Sequence, residues 1–255
     1  MNEIKGIIFD WAGTTVDYGC FAPVQAFAEV FRHFGIEPTS QEVREPMGML
    51  KIDHIRTMLR MPRISALWEE KYGREPEEKD VKELFGLFEE KLMSILHLFA
   101  GPKPGVAETV KALREKGIAI GSTTGYTDKM MAIVAPEAAK RGYAPDVWFS
   151  PDSVNQKGRP YPYMIFRNME ALGLSDVRGV LKVGDTVSDI REGKNAGVTT
   201  FGVVIGSSEM GLSREEYESL SEEEQKQRCE QVAEKFLAAG ADRAILNLED
   251  LLKIV

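Results

Sequence analysis

The sequence predicts an α/β fold: a parallel sheet covered by helices on both faces, with a helical domain inserted after its first strand. Three observations carry this. Short apolar runs at 4–10, 118–123, 147–150, 180–183 and 199–204 alternate with helical patterns. Residues 21–98 read as helical throughout, with apolar side chains at three- and four-residue spacing. Gly101, Pro102 and Pro104 then punctuate the return to the sheet.

In chain order, Ile7, Ile8 and Phe9 form a buried strand that ends in an acid, Asp10. Within the insert, Phe27, Val30, Phe31 and Phe34 share one helix face. Leu84, Leu87, Phe88 and Leu92 share another. Helical patterns at 104–116, 128–141, 161–172 and 187–196 separate the later strands. Gly117, Gly173 and Gly197 stand where helices stop. Strand–helix alternation of this kind gives right-handed βαβ units and a parallel sheet. The expected division is a discontinuous core, 1–20 and 99–255, and an insert, 21–98. Two crossings, near 19–22 and 100–103, would join them and can serve as a hinge. The Glu-, Gln- and Lys-rich stretch 209–239, with Ser213 before Glu216 as a capping box, reads as a solvated surface helix. A short strand at 243–246 and a helix from Leu248 finish the chain.

The 255 residues carry a formal net charge of −8, with 43% hydrophobic and 28% charged side chains. That is an ordinary globular mix with room for a sizeable core. The negative balance argues against nucleic acid or an anionic membrane as the main partner, while leaving room for a local basic pocket. Two cysteines far apart make no disulfide framework and no zinc spacing, and a reducing cytoplasm is the expected location. The N-terminus has no signal-peptide pattern, and no apolar run approaches the length of a membrane span.

In an open parallel sheet, ligands bind beyond the carboxyl ends of the strands. Asp10, Thr123 with Thr124, and Gly184 with Asp185 fall at such ends, and Asp189 follows on the first turn of a helix. Asp10 and Asp185 suit Mg²⁺, which prefers oxygen ligands. A carboxylate can also attack phosphorus to give an aspartyl-phosphate. Thr124 and Gly125 offer a hydroxyl and a backbone N–H to phosphoryl oxygens, and Arg159 a fixed positive fork.

These residues carry a resemblance. Phe9-Asp10-Trp11-Ala12-Gly13-Thr14-Thr15, Ser122-Thr123-Thr124-Gly125, Arg159-Pro160 and Gly184-Asp185-Thr186-Val187-Ser188-Asp189 resemble, in order, the four motifs of the haloacid dehalogenase superfamily. The resemblance implies a Rossmann-like core with a helical cap domain. One position departs from the phosphatases and mutases of that superfamily. Where they carry a second Asp as general acid, this chain has Ala12, which has no proton to give. A carbon–phosphorus bond explains the difference if a lysine first condenses with a neighbouring aldehyde. The carbon then departs as a neutral enamine, and no acid is needed at position 12.

The segment Met47-Gly48-Met49-Leu50-Lys51-Ile52-Asp53-His54 supplies such a lysine, with His54 three residues on along a helix. Apolar surroundings would lower the Lys51 pKa, and His54 could pass protons. Residues 10–20 and 47–51 resemble the phosphonoacetaldehyde hydrolase family in particular. That resemblance implies hydrolysis to acetaldehyde and phosphate, with Asp10 as nucleophile and Lys51 as Schiff-base residue. It implies Mg²⁺ on Asp10, Asp185 and the Ala12 carbonyl, with Asp189 in support. Thr124, Gly125 and Arg159 hold the phosphonate, while Cys20, Met47, Tyr126 and His54 surround the aldehyde. It also implies a homodimer through the caps. Lys157 competes with Arg159 for the anion, and whether Cys20 reacts or only packs stays open. A phosphatase of the same superfamily would lack its acid at position 12. A non-catalytic binding protein would have no need to keep Asp10, Asp185, Asp189 and Lys51 together.

Overall fold

The computed structural model describes residues 3–47 and 49–255. Six strands form one parallel sheet in the order β3-β2-β1-β4-β5-β6: β1 Gly6–Phe9, β2 Ala119–Thr123, β3 Val147–Phe149, β4 Val180–Gly184, β5 Thr199–Val203 and β6 Arg243–Ile245. The central strands are buried on both faces, as a parallel sheet requires. Their alternation divides the core. Ile7 and Phe9 join the larger apolar cluster, while Ile8 packs on the other face with Ile165, Met169 and Val180.

Residues 21–99 form the first five of the six helices between β1 and β2: α1 Phe21–His33, α2 Ser40–Arg44, α3 Lys51–Leu59, α4 Pro62–Tyr72 and α5 Glu78–Phe99. These match the helical reading of 21–98. Phe27 of α1 lies at their centre, stacked on Phe88 of α5 at 4.1 Å and on the His54 ring of α3 at 3.8 Å. This aromatic pile fixes α3, and with it the direction of Lys51, against the longest helix of the insert. Gly48, within the motif Met47–Lys51, lies outside the described residues.

The remaining helices are α6 Val106–Glu115, α7 Asp128–Lys140, α8 Tyr163–Ala171, α9 Val187–Ala196, α10 Arg214–Ser219 and α11 Glu222–Ala238. Gly117, Gly173 and Gly197 adopt positive φ just past α6, α8 and α9, as their positions predict. The region 209–239 differs from the sequence reading. It holds two helices, and α11 buries Cys229, Val232 and Phe236 along one side. Phe236 packs so closely on β5 that a Cβ at Gly202 would lie 2.3 Å from its ring. Three apolar residues at helical spacing suffice to dock a helix whose other faces are charged. The Ser213–Glu216 capping box does form. The last helical segment, Leu248–Lys253, is a 3₁₀ helix rather than an α-helix. No helix among the described residues is long and apolar enough to cross a membrane.

Candidate active site

The chain runs from β1 to β2 and β3 on one side, then returns to place β4, β5 and β6 on the other. The switch point is therefore at β1, where such sheets open a crevice. Phe9 is level with both Ser122 and Val183. Asp10, Thr123 and Gly184 consequently stand side by side at three adjacent strand ends.

Two glycines let the acids approach. Gly13 has φ of 89°, and a Cβ there would lie 2.0 Å from Asp185 Oδ2. A Cβ on Gly184 would lie 2.2 Å from the Asp189 Cβ. Asp10, Asp185 and Asp189 each present an oxygen within 4.8 Å of the others, and all three are buried. Burial, with Asp10 and Asp189 adding repulsion, pushes the Asp185 carboxyl well above the usual carboxylate range. Thr14 Oγ1 lies 3.0 Å from Asp185 Oδ1 and 3.3 Å from Asp10 Oδ2, so its one proton is shared between the two acids. The Ser208 backbone N–H donates to Asp185 Oδ2 at 2.7 Å. An all-oxygen set of this kind fits a hard divalent cation.

Asp189 is more fully engaged by the protein. Thr186 Oγ1 donates to its Oδ2 at 2.6 Å, and its Oδ1 lies 3.0 Å from Lys182 Nζ and 3.1 Å from Arg159 Nη2. Burial alone would raise its pKa, but the two cations hold it below the ordinary carboxylate range. These contacts leave Asp189 better placed to support a metal site than to face the ion.

Arg159 is 7% exposed. Its Nη2 donates to Asp10 Oδ1 and to the Thr123 carbonyl, and its Nε donates to Glu192 Oε2 at 3.1 Å. Lys157 is exposed, with its Nζ over the Tyr163 ring at 5.8 Å. Of the two cations that compete in sequence, Arg159 is the one beside Asp10.

Lys51 opens α3 and is 6% exposed. Its Nζ lies 5.6 Å from the Tyr126 ring centre and 5.9 Å from that of Phe27. Burial lowers its pKa and so favours the free amine. One small cavity of about 20 Å³ is lined by Asp10, Ala12 and Arg159 at the sheet ends and by Met47 and Lys51 from the helical stretch between β1 and β2. Cys20, Thr124, Gly125, Tyr126 and Thr186 complete its wall. His54 is not among the lining residues. Its Nε2 donates to the Val43 carbonyl at 2.9 Å, and burial pushes its pKa well below the usual value, with Lys51 adding to the shift. The ring is therefore neutral, and its Nδ1 makes no hydrogen bond among the described residues.

Cys20 sits in a left-handed backbone conformation at the start of α1, and burial raises its thiol pKa well above normal. As a neutral thiol it lines the cavity as a small, weakly polar side chain. Both Asp17 oxygens accept backbone N–H bonds, from Phe21 at 2.9 Å and Ala22 at 3.0 Å, and so cap α1 at the first crossing. At the second crossing, Lys103 Nζ donates to the Gly13 carbonyl at 2.7 Å and to the Ile205 carbonyl at 2.8 Å. Burial lowers its pKa to about 8.

Sequence reasoning missed Thr14, Thr186, Ser208, Lys182 and Glu192. Lys182 had a signal, because a charge in the middle of an apolar strand needs a buried partner. Ser208 had none, since its loop meets Asp185 only through the fold.

Residues 4–197 match the haloacid dehalogenase-like hydrolase family. Over 249 residues the chain is 54% identical to the phosphonoacetaldehyde hydrolase of Lysinibacillus sphaericus (strain C3-41), covering 98% of this chain and 93% of that one. The chain belongs to the phosphonoacetaldehyde hydrolase family of haloacid dehalogenase-like hydrolases. It is also 52% identical over 254 residues to a bifunctional phosphonoacetaldehyde hydrolase/aminoethylphosphonate transaminase of Clostridioides difficile (strain 630). It covers 40% of that longer protein. A crystal structure of a phosphonoacetaldehyde hydrolase like protein from Oleispira antarctica superposes with a TM-score of 0.96 at 38% identity, covering 99% of this chain and 91% of the other. Membership in the phosphonoacetaldehyde hydrolase family makes this chain an enzyme and a hydrolase. The six-stranded parallel sheet with flanking helices is the fold of that family.

Proposed function

We propose that the chain hydrolyses the carbon–phosphorus bond of phosphonoacetaldehyde to acetaldehyde and inorganic phosphate. The observation that carries this reading is the meeting, in one cavity, of a buried lysine amine with a strand-end aspartate, and with Ala12 where an acid would otherwise stand.

The Lys51 amine adds to the substrate aldehyde, water leaves, and an iminium forms. His54, neutral and three residues along α3, relays protons in this step. Arg159, the Thr124 hydroxyl and the Gly125 N–H hold the phosphonate oxygens. Asp10 then attacks phosphorus. The carbon–phosphorus electron pair moves into the new carbon–carbon double bond of an enamine, and the phosphoryl group is left on Asp10. Water hydrolyses the acyl phosphate. Protonation of the enamine carbon and hydrolysis of the resulting iminium release acetaldehyde and return Lys51.

Mg²⁺, held by Asp10, Asp185 and the Ala12 carbonyl with Asp189 in support, would offset the repulsion between nucleophile and anionic substrate. Tyr126, Met47 and Cys20 keep water from the imine.

Residues 21–98 act as a cap domain on the core formed by 1–20 and 99–255, with crossings at 19–22 and 100–103 as its hinge. Lys51 and Asp10 belong to different domains, so a disulfide that locks the cap open should abolish turnover. Full activity in the locked form would contradict this. The enzyme works as a homodimer through the caps in the cytoplasm. Light scattering at micromolar concentration should give twice the chain mass, and a monomer would rule the dimer out.

Arg159→Ala should raise KM by about 10²-fold, the scale of a lost buried, charge-assisted contact. Lys157→Ala should leave KM within about twofold, as surface charges usually do. The reverse pattern in steady-state phosphate release would move the anion site to Lys157.

A further inference from the structure

Behind the cavity lie a buried cation and a buried acid that the proposed reaction does not use. Lys182 comes from the middle of β4, level with Ile8 and Thr200, and is fully buried. Its Nζ lies 3.0 Å from Asp189 Oδ1 and 3.1 Å from Glu192 Oε2, and it donates to Thr123 Oγ1 at 2.7 Å. Arg159 uses the same three atoms. Its Nη2 lies 3.1 Å from Asp189 Oδ1 and 3.0 Å from Thr123 Oγ1, and its Nε lies 3.1 Å from Glu192 Oε2. Thr123 Oγ1 in turn donates to Glu192 Oε2 at 3.0 Å. Gly193 lets α9 pack close over β4 and β5: a Cβ there would lie 2.3 Å from Thr200 Oγ1 and 3.1 Å from the Lys182 Cβ.

We infer that Lys182 is a positioning residue that acts through Glu192 and Asp189 to keep the Arg159 guanidinium turned toward Asp10 and the anion beside it. This rests on the reading of Arg159 as the phosphonate-binding residue. A guanidinium in a dry site goes to the strongest acceptors available. Asp189 and Glu192 together carry two negative charges on its inner side. With Lys182 present, one of those charges is already met, and Arg159 Nη2 can share its protons between Asp10 and the inner acceptors. Without Lys182, both acids would draw on Arg159 alone, and its fork would turn inward. The anion site would also lose one positive charge within the low-dielectric interior. Both effects weaken anion binding.

The test is a ³¹P NMR titration of inorganic phosphate, with MgCl₂ present, on the full chain. Lys182→Met should weaken phosphate binding by about 10- to 100-fold, the scale for breaking a buried charge pair. Adding Glu192→Gln removes the acid that Lys182 had balanced. The Lys182→Met/Glu192→Gln protein should recover to within about threefold of wild type, because a pair deleted together costs far less than one member. Borohydride trapping of acetaldehyde on Lys51 should be unchanged in both, which a general loss of structure would not allow. If Lys182→Met does not fold, Thr123→Val serves in its place. It keeps the shape, removes the oxygen that Lys182 and Arg159 share, and should weaken phosphate binding about fivefold. Wild-type phosphate affinity in Lys182→Met, or in Thr123→Val where the first does not fold, would overturn the assignment. So would equal losses of phosphate binding and Lys51 trapping. Wild-type protein that binds phosphate but does not cleave phosphonoacetaldehyde would overturn the proposed reaction and leave the Lys182 assignment standing.

Discussion

Lys51→Arg should lower phosphate release from phosphonoacetaldehyde by on the order of 10⁴-fold or more, the scale for losing a group that bonds covalently to substrate. Arginine keeps the positive charge and much of the length, so loss of charge alone does not account for such a result. What it lacks is an amine that can condense with an aldehyde. Without the iminium, the electrons of the carbon–phosphorus bond have no sink, and Ala12 offers no proton to compensate. The same variant should still bind Mg²⁺ and phosphate, because Asp10, Asp185 and Arg159 lie on the core side of the cavity. Residual turnover within about tenfold of wild type would mean that the carbon leaves by another route.

Asp10→Asn should cost at least as much, again on the order of 10⁴-fold. The substitution is isosteric, but an amide oxygen is a poor nucleophile toward phosphorus. It also removes the negative charge that pairs with Arg159 and that, in the proposed reaction, would help to hold the metal. Mg²⁺ affinity should therefore fall as well, measurable by calorimetry. The chemistry at the other end of the cavity should survive: acetaldehyde should still be trapped on Lys51. Asp10→Asn and Lys51→Arg thus separate the two halves of the reaction. A fast Asp10→Asn enzyme would require water to attack phosphorus directly, and the aspartyl-phosphate step would be wrong.

The core was legible because burial on both faces of a parallel sheet imposes unbroken apolar runs. Ile7, Ile8 and Phe9, and Val180 to Val183, are of this kind. The strand-end acids were legible because a parallel α/β sheet places its site at those ends and nowhere else. What could not be read depended on the path of the chain through space. The loop at Ser208 meets Asp185 23 residues away in sequence. α11 hid its contact stripe, Cys229, Val232 and Phe236, among Glu, Gln and Lys, so its polar majority suggested a solvated helix. Lys182 was the opposite case. A lysine inside Val-Leu-Lys-Val is visible as an anomaly, but its partners, Asp189 and Glu192, lie on the next helix. Only the packing of α9 on β4 brings them together.

The most direct test of the account is borohydride reduction of the wild-type enzyme with phosphonoacetaldehyde at neutral pH, followed by peptide mass spectrometry. Burial that holds the Lys51 pKa below its ordinary 10.5 leaves more free amine at any pH below that value. Trapping should therefore proceed at neutral pH and quicken as pH rises. The predicted result is a reduced two-carbon adduct on Lys51 alone, formed in step with loss of activity and absent from Lys51→Arg. An active enzyme that gives no adduct, or one that carries it on another lysine, would contradict the account.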